Sequence, residues 1–188
     1  YHEGLICCSA CLAGEIPRAI VKGQYDEAVA VARRYDEIFG HGNFFLELQD
    51  HGIPAQSDVN SALLRMSGEL DSPLIATNDC HYTRADDAEA HDLLLCIQTQ
   101  SKVDDEKRMR FETKELYYKT PEEMEASFSG TPEALANTAR IAMEMCEEYD
   151  FNFKEYHFPI YPMAGDAEEA ALRETLSPEE AQKRHKER

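Results

Sequence analysis

The chain has 188 residues, 43% of them hydrophobic and 30% charged, and a formal net charge of -18 from 37 acidic and 19 basic side chains. This balance fits a folded, soluble chain rather than a disordered one, and no apolar run approaches membrane-spanning length. With so few Lys and Arg to displace phosphate counterions, the segment is excluded as a nucleic-acid grip by itself.

The first strand-sized apolar run is Leu5 to Cys8, which leads into Cys8-Ser9-Ala10-Cys11. The C-x-x-C spacing suits small buried thiols, a redox pair or, at Cys11, a thiolate ligand. A zinc ribbon needs a second such pair, and there is none. The six cysteines come without a secretory signal and mostly among apolar neighbours. They read as cytoplasmic thiols rather than a disulfide framework.

From Tyr25 to Phe39, Ala28, Val29, Ala32, Tyr35 and Phe39 recur at three- and four-residue steps, a helical stripe that Gly40 ends. The second strand is Phe44 to Leu48, followed by Asp50 and His51. Glu47 lies between Leu46 and Leu48 and faces opposite to both in a regular strand. It suits a ligand, a partner behind the ligands or a member of an ion pair. His51 is as fit for a loop as for a function.

A second helix is expected from Ala55 to Leu70, striped by Val59, Leu63, Met66 and Leu70, with Pro73 barring its extension. The third strand, Leu74 to Thr77, stops at Asn78-Asp79-Cys80-His81. In an extended segment, residues two apart share a side. Asp79 and His81 therefore converge, and a carboxylate with an imidazole suits a divalent metal. The plain alternative is a loop with a capping Asp and a surface His; Asn78 caps or orients.

A third helix is expected from Asp86 to Gln98, with its acidic start matching the helix dipole. His91 on it reads as structural. Lys102 to Arg110 is a charged loop, and Glu115 to Lys119 one more short strand. Thr120-Pro121-Glu122-Glu123 has the Ncap, N1 and N3 residues of a helix start. Thr131-Pro132-Glu133 opens a second helix, to about Tyr149. Phe151 to Pro162 is an aromatic connector, and the tail from Ala164 is a helix that needs a partner, or frayed.

Strand and helix alternate as in an α/β fold with parallel strands. In such folds chemistry gathers at the carboxyl ends of the strands, and here each strand runs into metal-capable side chains. No phosphate-binding glycine loop, no G-x-S-x-G elbow and no paired-Asp polymerase signature is present.

Several long motifs resemble a known family. Gly4-Leu5-Ile6-Cys7-Cys8-Ser9-Ala10-Cys11-Leu12-Ala13-Gly14-Glu15, Phe45 to Pro54, Ala76 to Tyr82, Asp87 to Thr99 and Tyr117 to Met124 occur in the order found in bacterial replicative DNA polymerases of the C family. The match runs from about residue 4 to 163, within the later part of the PHP (polymerase and histidinol phosphatase) domain. The resemblance implies a partial, distorted seven-stranded (β/α)7 barrel over 1–120, a mostly helical connector toward the palm over 121–163, and the start of the palm region over 164–188. It also implies that Asp79 and His81 are the last two ligands of a divalent metal cluster, of zinc or manganese type, with Cys11 a further ligand. It assigns no role to Glu47 or His51.

The family's earlier ligands, beginning with an H-x-H motif, have no counterpart here, and neither do the palm aspartates that hold magnesium. The start, Tyr1-His2-Glu3-Gly4, has no initiator Met. The chain is therefore expected to be an internal piece of a DNA-directed DNA polymerase. DNA, deoxynucleotides and other replisome subunits would be partners of the whole protein, and no membrane is involved. The PHP domain then either cleaves phosphodiesters as a 3′–5′ proofreading exonuclease or braces the polymerase. Two alternatives from other classes are a stand-alone PHP phosphoesterase and a thiol redox module built on Cys8 and Cys11. Half a barrel exposes strand edges and apolar helix faces, so poor stability in isolation is expected.

Overall fold

The computed structural model describes residues 2–146 together with 153, 154 and 158. The backbone forms two compact units, 1–147 and 148–188. The aromatic connector, the tail and the last turn of the helix expected to reach Tyr149 fall outside the described residues, apart from Phe153, Lys154 and Phe158.

In the first unit three short strands, β1 (Cys7–Cys8), β2 (Phe44–Leu48) and β3 (Leu74–Ala76), form a sheet in the order β1-β2-β3. Both pairings are parallel, with Cys7 opposite Phe44 and Leu48 opposite Ala76. Parallel neighbours need a crossover. α1 (Glu15–Val21) and α2 (Tyr25–Phe39) supply the first, and α3 (Pro54–Leu70) the second. The alternating grammar of the sequence is thus borne out as a mixed α/β unit with a small parallel sheet. α1 was not foreseen, because seven residues interrupted by Pro17 are too short to show a helical period. β1 is shorter than its apolar run, since Leu5 is 54% exposed.

β2 is the centre of the sheet. Phe44, Leu46 and Leu48 alternate onto one face, where they join Ala28, Val31 and Ala32 of α2 and Val59, Leu63 and Met66 of α3 in one core cluster. Phe45, on the opposite face, is also fully buried. Burial of both faces explains why β2 reads as a continuous apolar run broken only by Glu47.

The helix predicted from Asp86 starts as a 3₁₀ turn, Ala85–Asp87, and becomes α4 (Ala88–Gln98). The strand expected over Glu115 to Lys119 is a single parallel bridge, Tyr82 to Tyr117. α5 (Pro121–Ser127) has the predicted capping box: the Glu123 amide donates to Thr120 Oγ1 at 3.3 Å, and the Thr120 amide donates to Glu123 Oε2 at 2.8 Å. α6 (Pro132–Arg140) widens into one π turn, Ile141–Met145.

α6 covers the outer edge of β3. Asn137 Nδ2 donates to the Leu74 carbonyl at 2.8 Å, while Thr138 Oγ1 donates to the Ala76 carbonyl at 2.8 Å and accepts from the Ala76 amide at 3.1 Å. Two polar side chains thereby satisfy backbone groups that would otherwise invite a further strand. This edge is not exposed in the way that half a barrel implies.

Candidate metal centre at the strand ends

The parallel register brings the carboxyl ends of the three strands side by side, and Glu47 ties them together. Its Oε1 accepts from Thr77 Oγ1 beyond β3 and from Gln49 Nε2 at 3.0 Å; its Oε2 accepts from the Ala10 amide beyond β1 at 3.2 Å. The Glu47 amide donates to Ser9 Oγ at 2.8 Å. The sequence left Glu47 as a ligand, a partner behind the ligands or a member of an ion pair; the structure shows it as a hydrogen-bonded tie between the strand ends. Ser9, Gln49 and Thr77 are its partners; the sequence places Ser9 at the end of the first strand, but Gln49 and Thr77 carry no chemical signature that would announce them.

Asp79 and His81 are neighbours, but not by the predicted route. Asp79 has φ 42°, so the segment turns rather than extends. Asp residues tolerate this left-handed region better than most. The turn places His81 Nδ1 2.6 Å from the Asp79 carbonyl and 4.0 Å from Asp79 Oδ1. A carbonyl only accepts, so Nδ1 carries a proton, and in the neutral ring the lone pair is then on Nε2. That is the tautomer of a metal-ready histidine whose other nitrogen is held by a backbone carbonyl.

The turn is braced from below. His51 Nε2 donates to the Asn78 carbonyl at 2.9 Å, and its Nδ1 accepts from Gln56 Nε2 at 2.8 Å. Burial pushes the His51 pKa below its ordinary value, and the Lys119 cation adds to this against the Asn78 hydrogen bond. His51 is therefore a buried, neutral strut. Asn78 orients, as one reading of it had it: its Nδ2 donates to the carbonyls of Glu115 and Tyr117, and its Oδ1 accepts from Lys119 Nζ at 3.3 Å.

Cys11 is half-buried. Among the described residues no three His, Cys, Asp or Glu side chains gather as a metal-holding group, so Cys11 does not complete a three-donor set with Asp79 and His81 here. The donor types suit a divalent ion, but their number does not make a closed site.

The redox reading loses its chemistry at Cys8. Burial first, and the negative charge of Glu47 and Cys7 next, push its thiol up to about 12, the reverse of an activated thiolate. With iodoacetamide at neutral pH, the exposed Cys80 and Cys146 are expected to react first, with Cys8 slower by at least about tenfold, as read by peptide mass spectrometry. The folded thiol ionises after the unfolded one. Its contribution to stability is therefore full below 9.0 and is lost as pH rises toward about 12.

A second group of residues surrounds His81. Its ring meets Phe111 edge-on at 4.9 Å and His91 at 5.5 Å, and His91 also packs on Tyr82 at 5.3 Å. The sequence reading had His91 as structural; the structure places it against the candidate ligand. Phe111 lies in a loop without periodicity, so no local pattern announces it.

The carboxyl ends of parallel strands, where these polar residues converge, are where α/β sheets place their ligand sites, and sequence comparison narrows the class. Residues 1–51 match the PHP domain family. Over more of its length the chain is similar to the DNA polymerase III subunit alpha of several bacteria. It is 45% identical to that of Borreliella burgdorferi over 161 residues, 86% of this chain and 14% of the relative. It is 44% identical to that of Treponema pallidum over 142 residues, 76% of this chain and 12% of the relative. For Thermus aquaticus the identity is 40% over 181 residues, 93% of this chain and 15% of the relative. The chain is homologous to one segment of the bacterial DNA polymerase III alpha subunits and spans about one seventh of their length.

Proposed function

We propose that this chain is the later part of the PHP domain of a bacterial replicative DNA polymerase, with the beginning of the connector toward the palm. Residues 1–120 then complete a distorted (β/α)7 barrel, 121–163 lead to the palm and 164–188 enter it. The whole protein is a cytoplasmic DNA-directed DNA polymerase that extends a primer with magnesium-bound deoxynucleotides. It works with DNA and other replisome subunits, which the acidic segment itself does not grip. For the membrane, the structural support is that no helix among the described residues is long and apolar enough to cross one.

The observation that carries the proposal is the Asp79–His81 pair, set at the end of a parallel strand inside a segment 40–45% identical to polymerase III alpha subunits. Asp79, His81 and Cys11 are the ligands this segment contributes to a zinc- or manganese-type cluster, whose other ligands come from preceding parts of the polymerase. When bound, such ions activate water and stabilise charge at a phosphodiester. The chain's own residues prepare the place: Glu47 locks the strand ends, His51 and Asn78 hold the turn, and the Asp79 carbonyl keeps Nε2 of His81 available.

A bracing, non-cleaving PHP domain is the second reading, favoured by the hydrogen bonds through which Glu47 ties the strand ends together. Primer-extension and 3′–5′ exonuclease assays on the full-length polymerase separate the two. The cleaving domain predicts exonuclease turnover that ends when zinc and manganese are chelated and returns on their readdition. Turnover that is absent from the outset establishes the bracing role, and preference for a small phosphate ester over a DNA end sinks the polymerase reading.

A further inference from the structure

The charged loop that follows α4 is fastened in a way its composition does not suggest. Arg108 and Asp92 form a two-pronged ion pair, Nη1 to Oδ1 at 2.6 Å and Nη2 to Oδ2 at 2.5 Å, with the Arg108 side chain only 3% exposed. The same guanidinium donates through Nε to the Val103 carbonyl at 3.1 Å and through Nη1 to the Met109 carbonyl at 3.2 Å. A planar fork satisfied on one side by a carboxylate and on the other by two loop carbonyls leaves the loop little freedom. Asp92 follows His91 on α4, and Phe111 follows Arg108 by three residues. The pin therefore sets both rings where they meet His81.

The resulting cluster is three-way. His81 meets Phe111 at 4.9 Å with planes at 64° and His91 at 5.5 Å with planes at 77°, while His91 and Phe111 lie 5.5 Å apart. The two contacts of His81 are favourable edge-to-face geometries, and His91 and Phe111 are tilted at 40°. They restrict the His81 ring from two sides while the Asp79 carbonyl holds Nδ1. A free surface histidine would instead sample several rotamers and both tautomers.

We infer that the 101–112 loop is a clamp on the His81 imidazole, with Phe111 and His91 as positioning residues and the Arg108–Asp92 fork as its pin. The inference rests on the reading of His81 as a ligand; the clamp adds what keeps that ligand oriented before metal arrives. A first ligand held in its binding rotamer binds metal more tightly, because less motion is lost on binding.

The test uses the 188-residue chain with histidine ring nitrogens observed by long-range proton–nitrogen NMR at about pH 8, above the usual histidine range. The wild-type chain is expected to show His81 as a single Nδ1–H tautomer. Phe111→Ala and Asp92→Asn are expected to lose that single form and move toward the Nε2–H form that free imidazoles favour. His91→Phe, which keeps a ring in place, is expected to retain it, whereas His91→Ala is not. Phe111→Leu serves as a second, milder variant, and circular dichroism melting of each confirms folding. A merely structural role lowers the melting temperature without moving the His81 tautomer. An unchanged His81 signal in folded Phe111→Ala and Asp92→Asn overturns the clamp.

A zinc titration of the full-length polymerase separates the clamp from the reading beneath it. Phe111→Ala is expected to weaken zinc by roughly 10–100-fold, the usual effect of losing support behind a ligand. A tautomer that moves in Phe111→Ala while His81→Ala leaves zinc affinity intact upholds the clamp and removes His81 from the metal. A tautomer that stays put while His81→Ala loses zinc does the opposite.

Discussion

In the full-length polymerase, Asp79→Ala with His81→Ala is expected to lower zinc or manganese affinity of the PHP domain by more than about 100-fold, since loss of support behind a ligand alone is worth 10–100-fold. Exonuclease turnover should fall with it. The size follows from chemistry: the double change removes one carboxylate and one imidazole, the two donor groups that meet at a single turn. Metal content by elemental analysis and 3′–5′ exonuclease rate are the two readouts. Wild-type values for both would show that the pair is a surface turn with no part in a cluster. Both residues lie on a solvent-reachable turn, with side chains 38% and 29% exposed, so the variant should keep its fold.

The second large effect is in the core beneath this turn. Phe44→Ala is expected to cost about 3–5 kcal/mol, the range for emptying a buried phenylalanine site. Phe44 is fully buried at the centre of the sheet and stacks on Tyr35 of α2 with centroids 5.5 Å apart. Such a loss is a large share of the roughly 5–15 kcal/mol by which domains are stable. Ile38 on the same helix is 42% exposed, and its change to Ala should cost less than about 1 kcal/mol. Urea unfolding of the two variants checks this. Equal shifts in midpoint would mean that Phe44 is not the keystone of the sheet.

The elements that the sequence reading placed correctly are those whose signal is local. α2 and α3 repeat apolar residues over four turns or so, and β2 is a run of large apolar residues buried on both faces. The capping box at Thr120 is a four-residue pattern, so its hydrogen bonds were predictable from residue types alone. Misjudged elements lacked such periods. α1 is too short, and β1 takes only two of the four residues its apolar run offered. The 115–119 segment looked like a strand because of Leu116, Tyr117 and Tyr118, yet it makes one bridge; its other backbone groups are claimed by His81, Asn78 and Tyr82.

By itself the sequence determined that this is an α/β chain with strands delivering polar residues at their ends, that Asp79 and His81 belong together, and which family the motifs resemble. Those conclusions depend on near neighbours and on motif order, which a linear chain displays. Only the tertiary structure decided how the pair meets, through a left-handed turn rather than an extended strand. It alone turned Glu47 from a candidate ligand into a tie across three strand ends, made His51 a buried strut and brought His91 and Phe111 onto His81. Apart from the turn itself, the deciding contacts join residues distant in the chain, as Phe111 lies thirty positions beyond His81 and Ala10 donates to Glu47. Residue type sets what a side chain is able to do; the register of the sheet and the pinning of one loop set which partner it meets.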